Sequence, residues 1–184
     1  MDVPPRSPDA ASFEQTVLPH LDAAYNLARW LLRDPAAAQD VVQDAAVRAL
    51  DYFASFRGGD GRAWFLRIVR NTAMTALEKT GRLRVVSLDS AVSADDGDTL
   101  AMSIPDDADT PEQSFARAET ATALDDALAA LPVELRECLV LRELEDFSYR
   151  DIAGVTGVPI GTVMSRLWRA RQLMARAIRS GVMA

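Results

Sequence analysis

The sequence predicts an all-α protein: two small helical domains joined by a flexible acidic linker, with a helix-turn-helix at the C-terminal end. Three observations carry this prediction. Apolar residues recur at spacings of three and four along most of the chain, and no run shows the period of two that a strand requires. From Val85 to Phe115 the periodicity fades, and eight acids stand among Ser, Thr, Gly and Pro without one Lys or Arg. From Ser148 to Arg171 a short capped helix, a Gly-x-Pro turn and a longer basic helix follow one another. The chain divides accordingly into a disordered tail (1–11), a first helical domain (12–84), an acidic linker (85–112) and a second helical domain (113–184).

The first helix is expected from Ser12 to Arg33 through Phe13, Val17, Leu21, Tyr25, Ala28 and Leu32. Pro19 lies inside that pattern and implies a kink or a fresh start. Asp34-Pro35 supplies an N-cap and a first-turn proline for a second helix, Pro35 to Ser55. Its apolar set is Ala38, Val41, Val42, Ala45, Ala49, Tyr52 and Phe53; Asp40, Gln43, Asp44 and Arg48 share the polar side. Three glycines (58, 59 and 61) break the chain before a third helix from Arg62 to Thr80. There Ala63, Leu66, Val69, Ala73 and Leu77 can pack inward, while Trp64, Arg67, Arg70 and Asn71 lie toward solvent or a ligand.

Beyond the linker, Thr110-Pro111-Glu112 opens a helix to about Ala130, and Leu131-Pro132 ends it. A further helix carries Leu135, Leu139, Val140 and Leu144. Ser148 then caps a short helix with Asp151 in the capping-box position. Gly157 suits the left-handed turn after it, and Pro159 suits the first turn of the next helix. In that last helix Val163, Leu167, Ala170, Met174 and Ala177 form one buried stripe.

The net charge of −7 conceals a division. The segment 85–115 carries −8, so the rest of the chain stands near +1, and Arg62–Arg84 holds six basic residues against Glu78 alone. One cysteine, Cys138, excludes an internal disulfide, and one histidine, His20, excludes a histidine-based metal cluster. No apolar run reaches membrane-spanning length, and the N-terminus lacks a signal peptide's basic and apolar regions, so a cytoplasmic protein is expected. No paired catalytic carboxylates or glycine-rich phosphate loop are present, and no catalytic residue, metal or cofactor is expected.

Two surfaces point to nucleic acid. Five arginines and no acid lie between Ile152 and Ala184, which suits a helix entering a DNA major groove. Trp64 is ambiguous: a lone helical aromatic is more often core, yet beside arginines and a glycine loop it also offers a π-face to a base and cations to phosphates.

Taken together, Asp40-Val-Val-Gln-Asp44 with Arg48-Ala-Leu, Trp64-Phe-Leu-Arg-Ile-Val-Arg-Asn71, Leu131-Pro132, Ser148-Tyr-Arg-Asp-Ile-Ala and Gly161-Thr-Val-Met-Ser-Arg-Leu-Trp-Arg-Ala-Arg171 resemble a bacterial RNA polymerase sigma factor of the extracytoplasmic-function group. The resemblance runs from Phe13 to Ile178, with region 2 in the first domain and region 4 in the second. It implies that Asp40, Gln43, Asp44 and Arg48 dock on the clamp helices of the polymerase β′ subunit, and that the β flap is a further contact. It implies that Arg57, Arg62, Trp64, Arg67, Arg70 and Asn71 capture the melted minus-ten strand, with Asn71 reading a flipped base. Ser165 and Arg169 would face bases of the minus-thirty-five duplex, with Tyr149, Arg150, Thr162, Arg166 and Arg171 touching phosphates or setting the helix's register. Met164 stands where many relatives carry Arg or Lys. An anti-sigma factor would hold the protein inactive, and no small-molecule ligand is expected. The competing readings are a conventional helix-turn-helix regulator of duplex DNA and a helical adaptor that binds protein alone.

Overall fold

The computed structural model describes residues 10–82 and 123–181, and both stretches are helical. The first module comprises α1 (Ala10–Val17), α2 (Leu21–Leu32), α3 (Pro35–Tyr52) and α4 (Gly61–Lys79). Helix starts at Ala10, inside the expected tail, and the linker at 85–112 lies outside the described residues. Pro19 divides the expected first helix, because its missing N–H and its ring force a one-turn 3-10 segment, Leu18–His20, between α1 and α2. Arg33 closes α2 in the left-handed conformation, at φ 55°, and donates its backbone N–H to the Arg29 carbonyl. Asp34 caps α3 by accepting from the backbone N–H groups of Ala36 and Ala37 at 3.0 and 3.1 Å.

Helices α2, α3 and α4 pack on one another, and α1 lies against α4. Their contacts are rich in fully buried alanines (Ala24, Ala28, Ala38, Ala45, Ala49, Ala73), whose small side chains let the helix backbones approach closely. Phe65, Leu27, Leu31 and Leu66 fill the centre. Tyr52, expected on the core face of α3, is 57% exposed, because the helix passes into a 3-10 turn and Phe53 takes the inward position.

The second module comprises α5 (residues 123–130), α6 (Val133–Glu143), α7 (Tyr149–Thr156) and α8 (Ile160–Gly181). The start expected for α5 at Thr110 lies outside the described residues. Ser148 caps α7 by accepting from the Asp151 N–H and donates its own hydroxyl to the Asp151 carboxylate. Gly157 takes φ 75° and donates its N–H to the Ala153 carbonyl, which turns the chain sharply into α8. Val163, Leu167, Ala170 and Met174 are buried along α8. Leu144, expected within this helix, lies one residue past its end and is 52% exposed.

The two modules pack directly against each other, α4 on α7 and α2 on α6, and one apolar core runs through both. Helix α6 is therefore covered on more than one side. From Val133 to Leu141 only Glu134 escapes full burial.

The start of α4 is held against α1 by close contact. A β-carbon on Gly61 would stand 2.6 Å from Cγ2 of Thr16 and 3.2 Å from its carbonyl oxygen. Gly61→Ala should destabilise the protein by about 1–3 kcal/mol through this overpacking. Thr16→Ser removes the clashing methyl and keeps the hydroxyl bond to the Ser12 carbonyl. In a double-mutant cycle followed by urea unfolding, it should recover part of the loss.

Candidate nucleic-acid interface

The loop before α4 is shaped by Gly58 and Gly59, at φ 84° and 100°, values that side chains other than glycine tolerate poorly. Asp60 ends it by capping α4, accepting from the N–H groups of Arg62 and Ala63 at 2.9 and 3.2 Å. This cap starts the helix one residue earlier than expected and fixes the phase of its functional face. Trp64 is half-buried in an aromatic cluster, with ring centroids 4.9 Å from Phe56 and 6.1 Å from Phe53, so its ring is a wall of the loop. Arg57, Arg67 and Asn71 are exposed.

Arg62 and Arg70, from the same set, face the second module. Arg62 donates to the Glu145 carbonyl at 2.8 Å and to its carboxylate at 2.5 Å, while its guanidinium lies 4.6 Å from the Phe147 ring centroid. Asn26 approaches the other oxygen of Glu145 at 3.5 Å. Arg70 reaches both oxygens of Glu137, through Nε at 2.8 Å and a terminal nitrogen at 3.3 Å. Arg166, from α8, donates to the same carboxylate at 3.0 Å. Glu137 is fully buried between these two cations. Burial pushes its carboxyl above the usual range, against the opposing pull of Arg70 and Arg166.

On α8, Thr162, Ser165 and Arg169 are half-buried and Met164 is 43% exposed. The Ser165 hydroxyl donates to the Thr162 carbonyl at 3.0 Å. Arg171 is drawn back onto its own module, donating to Glu143 at 2.8 Å and bonding Tyr149, and these partners raise its pKa despite partial burial. Arg150, at the start of α7, is exposed. On the opposite side of the first module, Asp40, Gln43, Asp44 and Arg48 are exposed along α3, and Val47 (62% exposed) lies within the same stripe.

Sequence reasoning missed Glu137, Glu145 and Val47. Sequence alone carries little signal for Glu137, because Glu134 and Arg136 beside it make the stretch read as an ordinary helix with a solvated charged face. Among the described residues no group of His, Cys, Asp and Glu could hold a metal ion, and no helix is long and apolar enough to cross a membrane.

This architecture defines an all-α protein of two modules that carries a helix-turn-helix in the second and a glycine loop with a basic helix in the first. Residues 16–83 match the family described as sigma-70 region 2, and residues 121–174 match sigma-70, region 4. The RNA polymerase sigma-H factor of Pseudomonas aeruginosa is 35% identical over 172 residues, covering 92% of this chain and 88% of that one. The ECF RNA polymerase sigma-E factor of Haemophilus influenzae is 36% identical over 143 residues, covering 76% and 73%. Among solved structures, the sigma factor RpoE of Bartonella quintana, determined in complex with the anti-sigma factor NepR, matches with a TM-score of 0.65 at 27% identity, covering 91% of this chain and 97% of that one. CnrH, determined with the cytosolic domain of CnrY, shares the fold at a TM-score of 0.64 and 24% identity, covering 96% and 93%. The chain belongs to the extracytoplasmic-function group of RNA polymerase sigma factors.

The thiol of Cys138 lies beside the Glu137 cluster, fully buried, and burial followed by the neighbouring carboxylate pushes its pKa up to about 12. In native protein at pH 8 it should react with an alkylating reagent only through opening. Glu137→Ala leaves Arg70 and Arg166 without their shared partner, a loss of about 3–5 kcal/mol for a buried cluster. Labelling followed by mass spectrometry should therefore accelerate, by roughly a hundredfold if about 3 kcal/mol is lost from the interface alone.

Proposed function

We propose that this protein binds core RNA polymerase, directs it to promoters by reading the minus-ten and minus-thirty-five elements, and aids melting of the minus-ten region. On this reading it is not an enzyme; the polymerase performs the chemistry, and the protein works in the cytoplasm. The observation that carries the reading is the presence, in one chain, of an exposed α3 stripe and two separate cationic helices, α4 and α8.

The α3 stripe of Asp40, Gln43, Asp44 and Arg48 is the docking face for the polymerase β′ clamp helices, and Val47 adds an apolar contact at its centre. Arg57, Arg67 and Asn71 meet the non-template strand, with the Trp64 ring bordering the pocket for an unstacked base. Unstacking costs a few kcal/mol, which base capture and phosphate contacts offset. On α8, Ser165 and Arg169 address base edges, and Thr162, Met164 and Arg166 set the approach to the groove.

The packed arrangement is the inactive one. Arg62 and Arg70 are tied across the seam to Glu145 and Glu137, so they meet DNA only after the modules separate. Core polymerase, engaging both modules, supplies the free energy for separation. An anti-sigma factor would oppose it by favouring the closed form. The Bartonella structure, a sigma factor with an anti-sigma factor, supports this mode of control.

Abortive transcription with purified core polymerase, this protein and genomic promoter fragments tests the reading. Initiation that depends on this protein is expected. Binding of duplex DNA without polymerase and without initiation would instead establish a conventional regulator. Arg169→Ala should weaken minus-thirty-five recognition by roughly 1–3 kcal/mol if its contact is bidentate, while Asn71→Ala spares core binding and impairs open-complex formation. Val47→Arg should lower affinity for core polymerase about tenfold, as loss of a central apolar contact does, and fluorescence anisotropy of labelled protein reads the change.

A further inference from the structure

A cleft of about 780 Å³ lies between the two modules, away from the loop and α8 surfaces that the promoter reading uses. One wall is the end of α2 (Leu31, Arg33) with the end of α4 (Leu77, Arg82); the other runs from Ala129 to Val133 and includes Arg136. Among the described residues three guanidiniums line it and no carboxylate does. The other arginines described above that cross between the modules each meet an acid: Arg62 with Glu145, and Arg70 with Glu137.

Arg136 is 6% exposed, and its bonding is incomplete. One terminal nitrogen donates to the Ala129 carbonyl at 3.0 Å and the other reaches the Leu31 carbonyl at 3.5 Å, while the buried Nε has no partner among the described residues. Arg33 donates to the same Ala129 carbonyl at 3.1 Å, so two cations share one neutral acceptor. Burial first, then repulsion from Arg33 and Arg82, lowers the Arg136 pKa to about 10. Glu134 attracts Arg136 only at a distance, and no ion pair joins them. The C-terminal ends of α2 and α4 also open here, each worth roughly half a negative charge. Set against three full cations, these leave a net charge of roughly +2. A buried, incompletely bonded charge is costly unless a counter-charge meets it.

We propose that this cleft binds a compact, doubly charged oxyanion, a phosphoryl group or a pair of carboxylates, which bridges Arg33, Arg82 and Arg136. Such a ligand completes the bonding of Arg136 and clamps the two modules together, because its contacts come from both. The proposal departs from the sequence expectation of no small-molecule ligand, and it stands independently of how the protein reads promoters. Two sources of the oxyanion share this chemistry: a free phosphorylated compound, or acidic side chains of the chain's own segment 85–115.

Calorimetric titration of the full-length protein with inorganic pyrophosphate at low ionic strength tests it, alongside a variant in which the eight acids of 85–115 are replaced by Asn or Gln. Saturable one-to-one binding is expected, weakened at least tenfold by Arg82→Glu and by Arg136→Met and unchanged by Arg179→Gln on the exposed end of α8. Arg82 is exposed, so its variant folds even where Arg136→Met does not. Binding by wild type assigns the free compound; binding by the neutralised variant alone assigns the chain's own carboxylates. Either result supports the site. No binding by either protein, or binding that Arg179→Gln weakens as much as Arg82→Glu, overturns it.

Discussion

The arrangement of this molecule depends on one buried carboxylate. Glu137 sits on α6 in the second module, accepts from Arg70 of the first, and accepts from Arg166 of α8. Three elements are thereby fixed relative to one another by a single charged group. A carboxylate with no exposure has a large desolvation cost, and only close, well-bonded cations make its burial tolerable. The pairing is strict in a way that apolar packing is not. Apolar faces slide and tolerate small misfit, whereas a buried charge that misses its partners forfeits most of its compensation. The cluster specifies one docking of the modules more than it strengthens that docking.

The same economy governs the cations. Arg62, Arg70 and Arg166 lie on the helices proposed above as nucleic-acid surfaces, and in this structure carboxylates stand where that reading puts phosphates. Glu145 and Glu137 thus imitate a nucleic-acid ligand within the fold. Arg62 shows how closely: it uses the Glu145 carboxylate as it would a phosphate and lies over the Phe147 ring as it would over a base. On the proposed reading, separation of the modules exchanges the carboxylates on Arg62 and Arg70 for phosphates, so the net electrostatic change is smaller than the number of contacts suggests.

What could be read from the sequence was local. The Asp34 cap, the Ser148–Asp151 capping box, the Gly157 turn and the Val163–Met174 stripe depend on residues within one or two turns of each other, and periodicity exposes such relations directly. Element ends were less legible. Tyr52 is the last residue of its helix and Leu144 lies one residue past the end of its own, and pattern alone does not mark those points. The pairing of Arg70 with Glu137 spans 67 residues and that of Arg62 with Glu145 spans 83, and no periodicity reports on contacts of that range. The exposed stripe of α3 was visible as a polar face, but Val47 within it was not, because a single apolar residue there reads as noise. The Arg136 cleft was invisible for the same reason as the ion pairs, since its walls come from both modules.

Helix α6 has almost no face of its own for water, with eight of its eleven residues buried. Within a lone second module much of that surface would be bare, so the separated form is adhesive. Forty residues join Arg82 to Ala123, enough chain for the first module of one molecule to settle on the second module of another. Such an exchange would reproduce every contact of the single chain, including the Glu137 cluster, and would cost only the freedom lost on pairing two molecules. On the reading that the modules separate on the polymerase, the seam that opens is also one through which two concentrated chains would exchange modules.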